Sequence, residues 1–258
     1  MTMIVDKLQA VRDRMTTACF ASGRNPASVR LLAVSKTFGP DAVMAAMSGG
    51  QCAFGENYVQ EGVEKILAVR ELLGRESDGL SPSDSSHSSG GPSPRALPLS
   101  SASEWHHIGP LQSNKTRLVA EHFDWVQSVD RLKIAQRLSE QRPAHLPPLQ
   151  VCLQVNVDGG PTKAGVRPEE AQALAAEVAR LPRLQLRGLM SIPEPAPDFI
   201  AACALHQRAK DLFDQINKAG VLPQPLDTLS LGMTADLESA IHAGSTMVRV
   251  GTAIFGGR

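Results

Sequence analysis

LQVCLQVNV (Leu149–Val157), PEEAQALAAEVARL (Pro168–Leu181) and LQLRGLMS (Leu184–Ser191) follow one another in the chain. The first and last are short apolar runs of strand character, and the middle one is amphipathic at helical spacing. Pro168 followed by Glu169 and Glu170 reads as the first turn of that helix. A strand, a helix and a second strand imply parallel pairing through a right-handed crossover.

The same alternation extends in both directions. Further strands are predicted at Leu31–Ser35, Cys52–Phe54, Trp105–Gly109, Trp125–Val129, Thr228–Leu231 and Met247–Val250. Helices are predicted at Pro40–Met47, Val59–Leu73, Lys115–Glu121, Arg131–Gln141, Ile200–Ala219 and Ala235–Ala243. Eight such units in about 250 residues match a (β/α)₈ TIM barrel. A doubly wound open sheet carries the same alternation and is the competing architecture.

The remaining bounds come from composition. The chain has 258 residues, 42% of them hydrophobic and 20% charged, enough for a sizeable core. Twenty-six basic residues balance twenty-six acidic ones, and only ten residues are aromatic. Neither a basic stripe nor a stacking platform is present, so nucleic acid is not an expected partner. The first fifteen residues, MTMIVDKLQAVRDRM, break their apolar positions with charges, and no later run reaches the roughly 18 apolar residues of a membrane span. Cys19, Cys52, Cys152 and Cys203 lie far apart, as reduced thiols of a cytoplasmic protein would, and no metal site is expected. From Ser77 to Ser103, 18 of 27 residues are Ser, Pro or Gly. That composition predicts a disordered insertion, within one domain spanning 1–258, because the strand–helix pattern resumes after it.

In either architecture, chemistry gathers at the carboxyl ends of the strands. Lys36 follows the first strand in LLAVSKTF. There it is expected to lose hydration, which favours the neutral, nucleophilic amine able to form a Schiff base. The plain alternative is a lysine snorkelling from the barrel rim to water. Two late loops, GMTADLESAI and VRVGTAIFGG, place glycine beside threonine after the seventh and eighth strands. In barrels that is the recurrent phosphate site, although Gly232 and Gly251 could equally serve as tight turns. A reactive lysine beside a phosphate cup suits pyridoxal 5′-phosphate (PLP), and Arg249 could donate a hydrogen bond to its ring nitrogen. His106 and His107 are adjacent on a strand and should face opposite sides. Tyr58 is expected to have a solvent or packing role, and Asp236 and Glu238 to serve the start of the helix and its positive dipole end.

At these residues the sequence resembles the YggS/PROSC family of pyridoxal phosphate homeostasis proteins. The matching stretches are LLAVSKTF, FGENYVQE, WHHIGPLQSNK, VNVDGGPTKAGV, LRGLMSIP, LSLGMTADLESAI and GSTMVRVGTAIFGGR, in order over nearly the whole chain. The resemblance implies a single barrel of the alanine racemase N-terminal-domain type with PLP on Lys36, and the chain is expected to be a monomer. It further implies that Thr234, Gly251 and Thr252 hold the phosphate, that Arg249 faces the pyridine nitrogen and that Asn57 lines the ring pocket. Lys163 is a candidate auxiliary site. Thr234 stands where the family usually has serine, and His107 where it usually has an apolar residue. The Ser77–Ser103 insertion is also atypical.

The function these expectations favour is a carrier that buffers PLP and supplies it to apoenzymes. An amino-acid racemase on the same lysine is the alternative, and a phosphosugar aldolase or isomerase a third. Resembling racemases take a second base, a tyrosine, from a further β-domain. Here Arg258 lies seven residues after Gly251, and the only tyrosine, Tyr58, precedes the third strand. On these grounds no significant turnover is expected.

Overall fold

The computed structural model describes residues 2–78, 103–160 and 164–257. The bulk of the serine-rich stretch and Lys163 therefore lie outside the described residues. Eight parallel strands, β1 (Arg30–Val34), β2 (Ala53–Glu56), β3 (Glu104–His107), β4 (Trp125–Val129), β5 (Leu149–Gln154), β6 (Leu184–Met190), β7 (Thr228–Ser230) and β8 (Met247–Val250), close into a barrel in sequence order. Closure decides against the open sheet. β8 pairs with β1, from Arg30 opposite Met247 to Ala33 opposite Val250.

The helices α1 (Thr2–Ala21), α2 (Pro40–Ser48), α3 (Val59–Asp78), α4 (Thr116–His122), α5 (Leu132–Gln141), α6 (Pro168–Val178), α7 (Phe199–Ala219), α8 (Leu237–His242) and α9 (Thr252–Phe255) surround it. Strands covered on both faces need apolar side chains on both, which is why runs such as LLAV and LQVCL barely alternate. Phe54, Trp105 and Leu153 are fully buried in the main core, while Leu32, Val34, Ala53, Ile108 and Met247 form a separate cluster.

Three differences from the sequence expectation follow. Helix α1 was not anticipated, although Leu8, Val11, Met15 and Ala18 recur at helical spacing and all are buried. It packs against α2, α8 and α9, and Arg24 from the turn beyond it donates to the Ile241 carbonyl at 2.7 Å. Helix α3 continues past Leu73 to Asp78, two residues into the Ser77–Ser103 stretch. Five strands end one to three residues earlier than expected, and β2 runs two residues further, to Glu56.

Candidate functional site

β1 delivers the chain to Ser35, which is fully buried, and the backbone then turns. Lys36 sits in that turn and is exposed, so the loss of hydration expected from its strand position is not found. The physical reason is the turn itself. Thr37 adopts φ +68°, a left-handed conformation uncommon for a β-branched residue, and it carries the chain away from the strand direction.

Behind this turn lies an ionic cluster that sequence reading did not assemble. Lys65, 5% exposed, donates to the Ser35 carbonyl at 2.7 Å, to Glu56 Oε1 at 2.7 Å and to Glu61 Oε1 at 3.1 Å. Ser35 Oγ donates to the same Glu56 oxygen at 2.6 Å, and the Thr37 N–H donates to Glu61 Oε1. Burial raises the Glu56 carboxyl above its ordinary value, outweighing the ammonium beside it. Glu61 and Lys65 stand four residues apart on α3, a spacing visible in QEGVEK, but only the fold shows that they bond the residues on either side of Lys36.

The two threonine turns come together as expected. Thr252 Oγ1 donates to Thr234 Oγ1 at 3.1 Å. Gly251 lies against the end of β1, where an added Cβ would stand 3.0 Å from the Val34 carbonyl oxygen. Gly232 takes φ +83°, which glycine adopts without strain. Phe38 and Phe255, with ring centroids 5.3 Å apart, tie the loop after Lys36 to α9. From α1, Arg14 donates to the Thr234 carbonyl at 3.0 Å and pairs with Glu238 at 2.8 Å. Asp236 accepts from the Met233 N–H and lies 3.0 Å from His206 Nε2, so its carboxylate serves the loop and makes no cap bond to α8, whereas Glu238 stands in the first turn of that helix.

Arg249 is 3% exposed and has no carboxylate within ion-pair distance among the described residues. Its Nη1 donates to the Ser230 carbonyl (2.7 Å) and hydroxyl (2.8 Å), and Nη2 to the Ser191 carbonyl (2.8 Å). Burial lowers its pKa to about 10, leaving it a cation at neutral pH. From Ser230 a hydrogen-bonded line runs down the barrel interior. The Ser230 hydroxyl donates to Gln127 Oε1 (2.7 Å), Gln127 Nε2 to His106 Nδ1 (2.9 Å), and His106 Nε2 to Glu104 Oε1 (2.6 Å). Burial keeps His106 neutral by depressing its pKa. Glu104 is held at about 2, because its bonds to His106 and the charge of Arg30 outweigh its burial.

His107 faces the other way, edge-on to Phe123 at 5.6 Å, so the two histidines point to opposite sides of the strand as expected. Asn57, half-buried after β2, packs its backbone against Gly109 after β3. Tyr58 is exposed at the start of α3.

With the geometry established, the chain matches the family described as alanine racemase, N-terminal domain, over residues 7–258. The chain belongs to this family. Within it, a Haemophilus influenzae protein called pyridoxal phosphate homeostasis protein is 48% identical over 256 residues, covering 99% of this chain and 96% of its own. The structure of PipY from Synechococcus elongatus with PLP bound is 32% identical, with TM-score 0.73, and covers 98% of this chain and 100% of that one. An alanine racemase from Clostridium difficile shares the fold at TM-score 0.66 and 15% identity, and this chain covers 57% of its length.

Proposed function

We propose that the chain binds PLP at the carboxyl-terminal mouth of the barrel, joined to Lys36, and that it stores and supplies the cofactor rather than turning over a substrate. The observation that carries this reading is the gathering of Lys36, the Thr234–Thr252 hydroxyl pair and Arg249 around the ends of β1, β7 and β8. The residues fit the group. Two hydroxyls and a stretch of backbone without a side chain at Gly251 suit a phosphate. Arg249 is a buried cation whose bonded partners are all neutral, and three of its five N–H donors are used in those bonds. Asn57 would line the ring pocket.

When bound, the cofactor supplies an aldehyde open to amines and a ring that withdraws electrons from the attached carbon. Lys36 offers the amine, and its exposure leaves it reachable by solvent and by competing amines. Arg249 donates and does not accept a proton, so a ring nitrogen facing it stays unprotonated and withdraws electrons weakly. That favours holding and release over carbanion chemistry. The name of the Haemophilus influenzae relative, which refers to homeostasis and not to a reaction, and PLP in PipY support the same reading. The receivers would be apoenzymes that use this cofactor.

The test is a visible absorption spectrum of the PLP-loaded protein, followed by borohydride reduction and peptide mapping. A reduced adduct on Lys36 is expected, and an adduct elsewhere refutes the site. In deuterated water, exchange of the α-hydrogen of alanine at about 1 s⁻¹ or faster would refute the carrier and restore the racemase.

A further inference from the structure

Lys36 is flanked on both sides by bonds to one cluster. The residue before it, Ser35, is held by its carbonyl to Lys65 (2.7 Å), by its hydroxyl to Glu56 (2.6 Å) and by its N–H to the Gly55 carbonyl (3.0 Å). The residue after it, Thr37, gives its N–H to Glu61. Its φ of +68° is costly for a threonine, and such a conformation persists only where neighbours hold it. The three protons of the Lys65 ammonium go to three acceptors, just after β1, on β2 and on α3. A buried cation thus binds together the elements that meet beneath Lys36, while the Lys36 side chain itself stays exposed. The backbone is fixed and the amine is left to move.

We infer that Glu61, acting with the buried Lys65–Glu56 pair, is a positioning residue that holds the strained turn so that Lys36 presents its amine to the aldehyde of the bound cofactor. This rests on the reading that Lys36 carries PLP. Glu61 does not touch the cofactor in this account. It acts through the Thr37 N–H.

The experiment compares two ligands in three proteins: wild type, Glu61→Ala and Glu61→Gln. PLP bonds to Lys36, whereas pyridoxine 5′-phosphate has an alcohol in place of the aldehyde and binds only through its phosphate and ring. In Glu61→Ala the affinity for PLP should fall about tenfold, the scale of one released backbone strain, while that for pyridoxine 5′-phosphate stays within about twofold. Glu61→Gln, whose amide oxygen still accepts from Thr37, should recover most of the PLP affinity. The Glu61 side chain is 34% exposed, so both variants should fold, and thermal melts check this. An equal loss for both ligands, or no loss for PLP, overturns the proposal. Mapping of the borohydride adduct on the wild-type protein is the separate check of the parent reading. A label away from Lys36 overturns both, whereas a label on Lys36 with unchanged Glu61→Ala affinity overturns the positioning role alone.

Discussion

Replacing Lys65 by Met removes the ammonium but keeps a side chain of similar length, and its cost can be worked from the partner left behind. Glu56 is fully buried, its Oε2 has no hydrogen-bond partner, and Oε1 would retain only the Ser35 hydroxyl. A carboxylate so placed takes up a proton rather than remain charged. Protonating a group with an ordinary pKa of 4.5 at pH 7 costs about 1.36 kcal/mol for each of 2.5 pH units, or about 3.4 kcal/mol, an upper limit on the loss because burial already raises this carboxyl in the wild type. In a protein of this size that limit corresponds to a fall in Tm of roughly 7 °C. The sign follows from proton counting. In the variant the folded state holds a proton that the unfolded state releases above pH 4.5, so stability falls as pH rises, by about 1.4 kcal/mol per unit. The loss relative to wild type should therefore be small near pH 5 and largest near pH 7. Denaturant melts of the cofactor-free proteins at both values measure it. A loss that is independent of pH, or below about 1 kcal/mol at pH 7, would refute the reasoning.

Three further outcomes are expected. Changing Thr234 and Thr252 together to Val should weaken PLP binding by about a hundredfold or more, since each hydrogen bond to a charged group contributes about 1.5–3 kcal/mol. Titration with pyridoxal, which lacks the phosphate, should show no such change, and a parallel loss would remove these residues from the phosphate site. His107, buried against Phe123, has its pKa pushed down to about 4, chiefly by burial. The folded state then disfavours the charged ring, so stability present above pH 6.5 is lost as pH falls, by about 2 kcal/mol between pH 7 and pH 5. His107→Phe should abolish that part of the acid sensitivity, and melts with an unchanged pH 5 deficit would contradict it. Replacing residues 79–102 by a short Gly/Ser linker should leave PLP binding unchanged, because α3 ends and β3 begins at the barrel face opposite Lys36. Loop closure changes by about 0.6 kcal/mol per halving of length, and loss of cofactor binding would show the segment reaching the site.

The barrel was legible because each strand is an apolar run bounded by a helix with a recognisable start, as at Pro168-Glu169-Glu170. Which residues meet at the mouth was legible to the same extent, since strand order alone places Lys36, Thr234, Arg249 and Gly251 there. Helix α1 carries an equally regular pattern in Leu8, Val11 and Met15, but the charges between them, which exclude a membrane or export segment, mask its amphipathic face. The state of Lys36 was not legible. Its exposure depends on the left-handed Thr37, which no local signal announces in a β-branched residue. Nor were the bonds of Lys65 to Ser35 and Glu56, or those of Gln127 to residues on β3, β7 and β8, which only the folded sheet brings within reach.

The interior line from Arg249 through Ser230, Gln127 and His106 to Glu104 limits how this barrel can change its sequence. Every donor in it points the same way, toward the carboxylate, so each residue's orientation is set by the next. An apolar residue at Ser230, Gln127 or His106 removes a bond from the neighbour on each side, at a cost of about 1–3 kcal/mol for each buried atom left without a partner. Five residues on four strands therefore behave as a single heritable unit. A lineage that gives up one of them is driven to replace its neighbours too, and substitutions tolerated together here would be rejected one at a time.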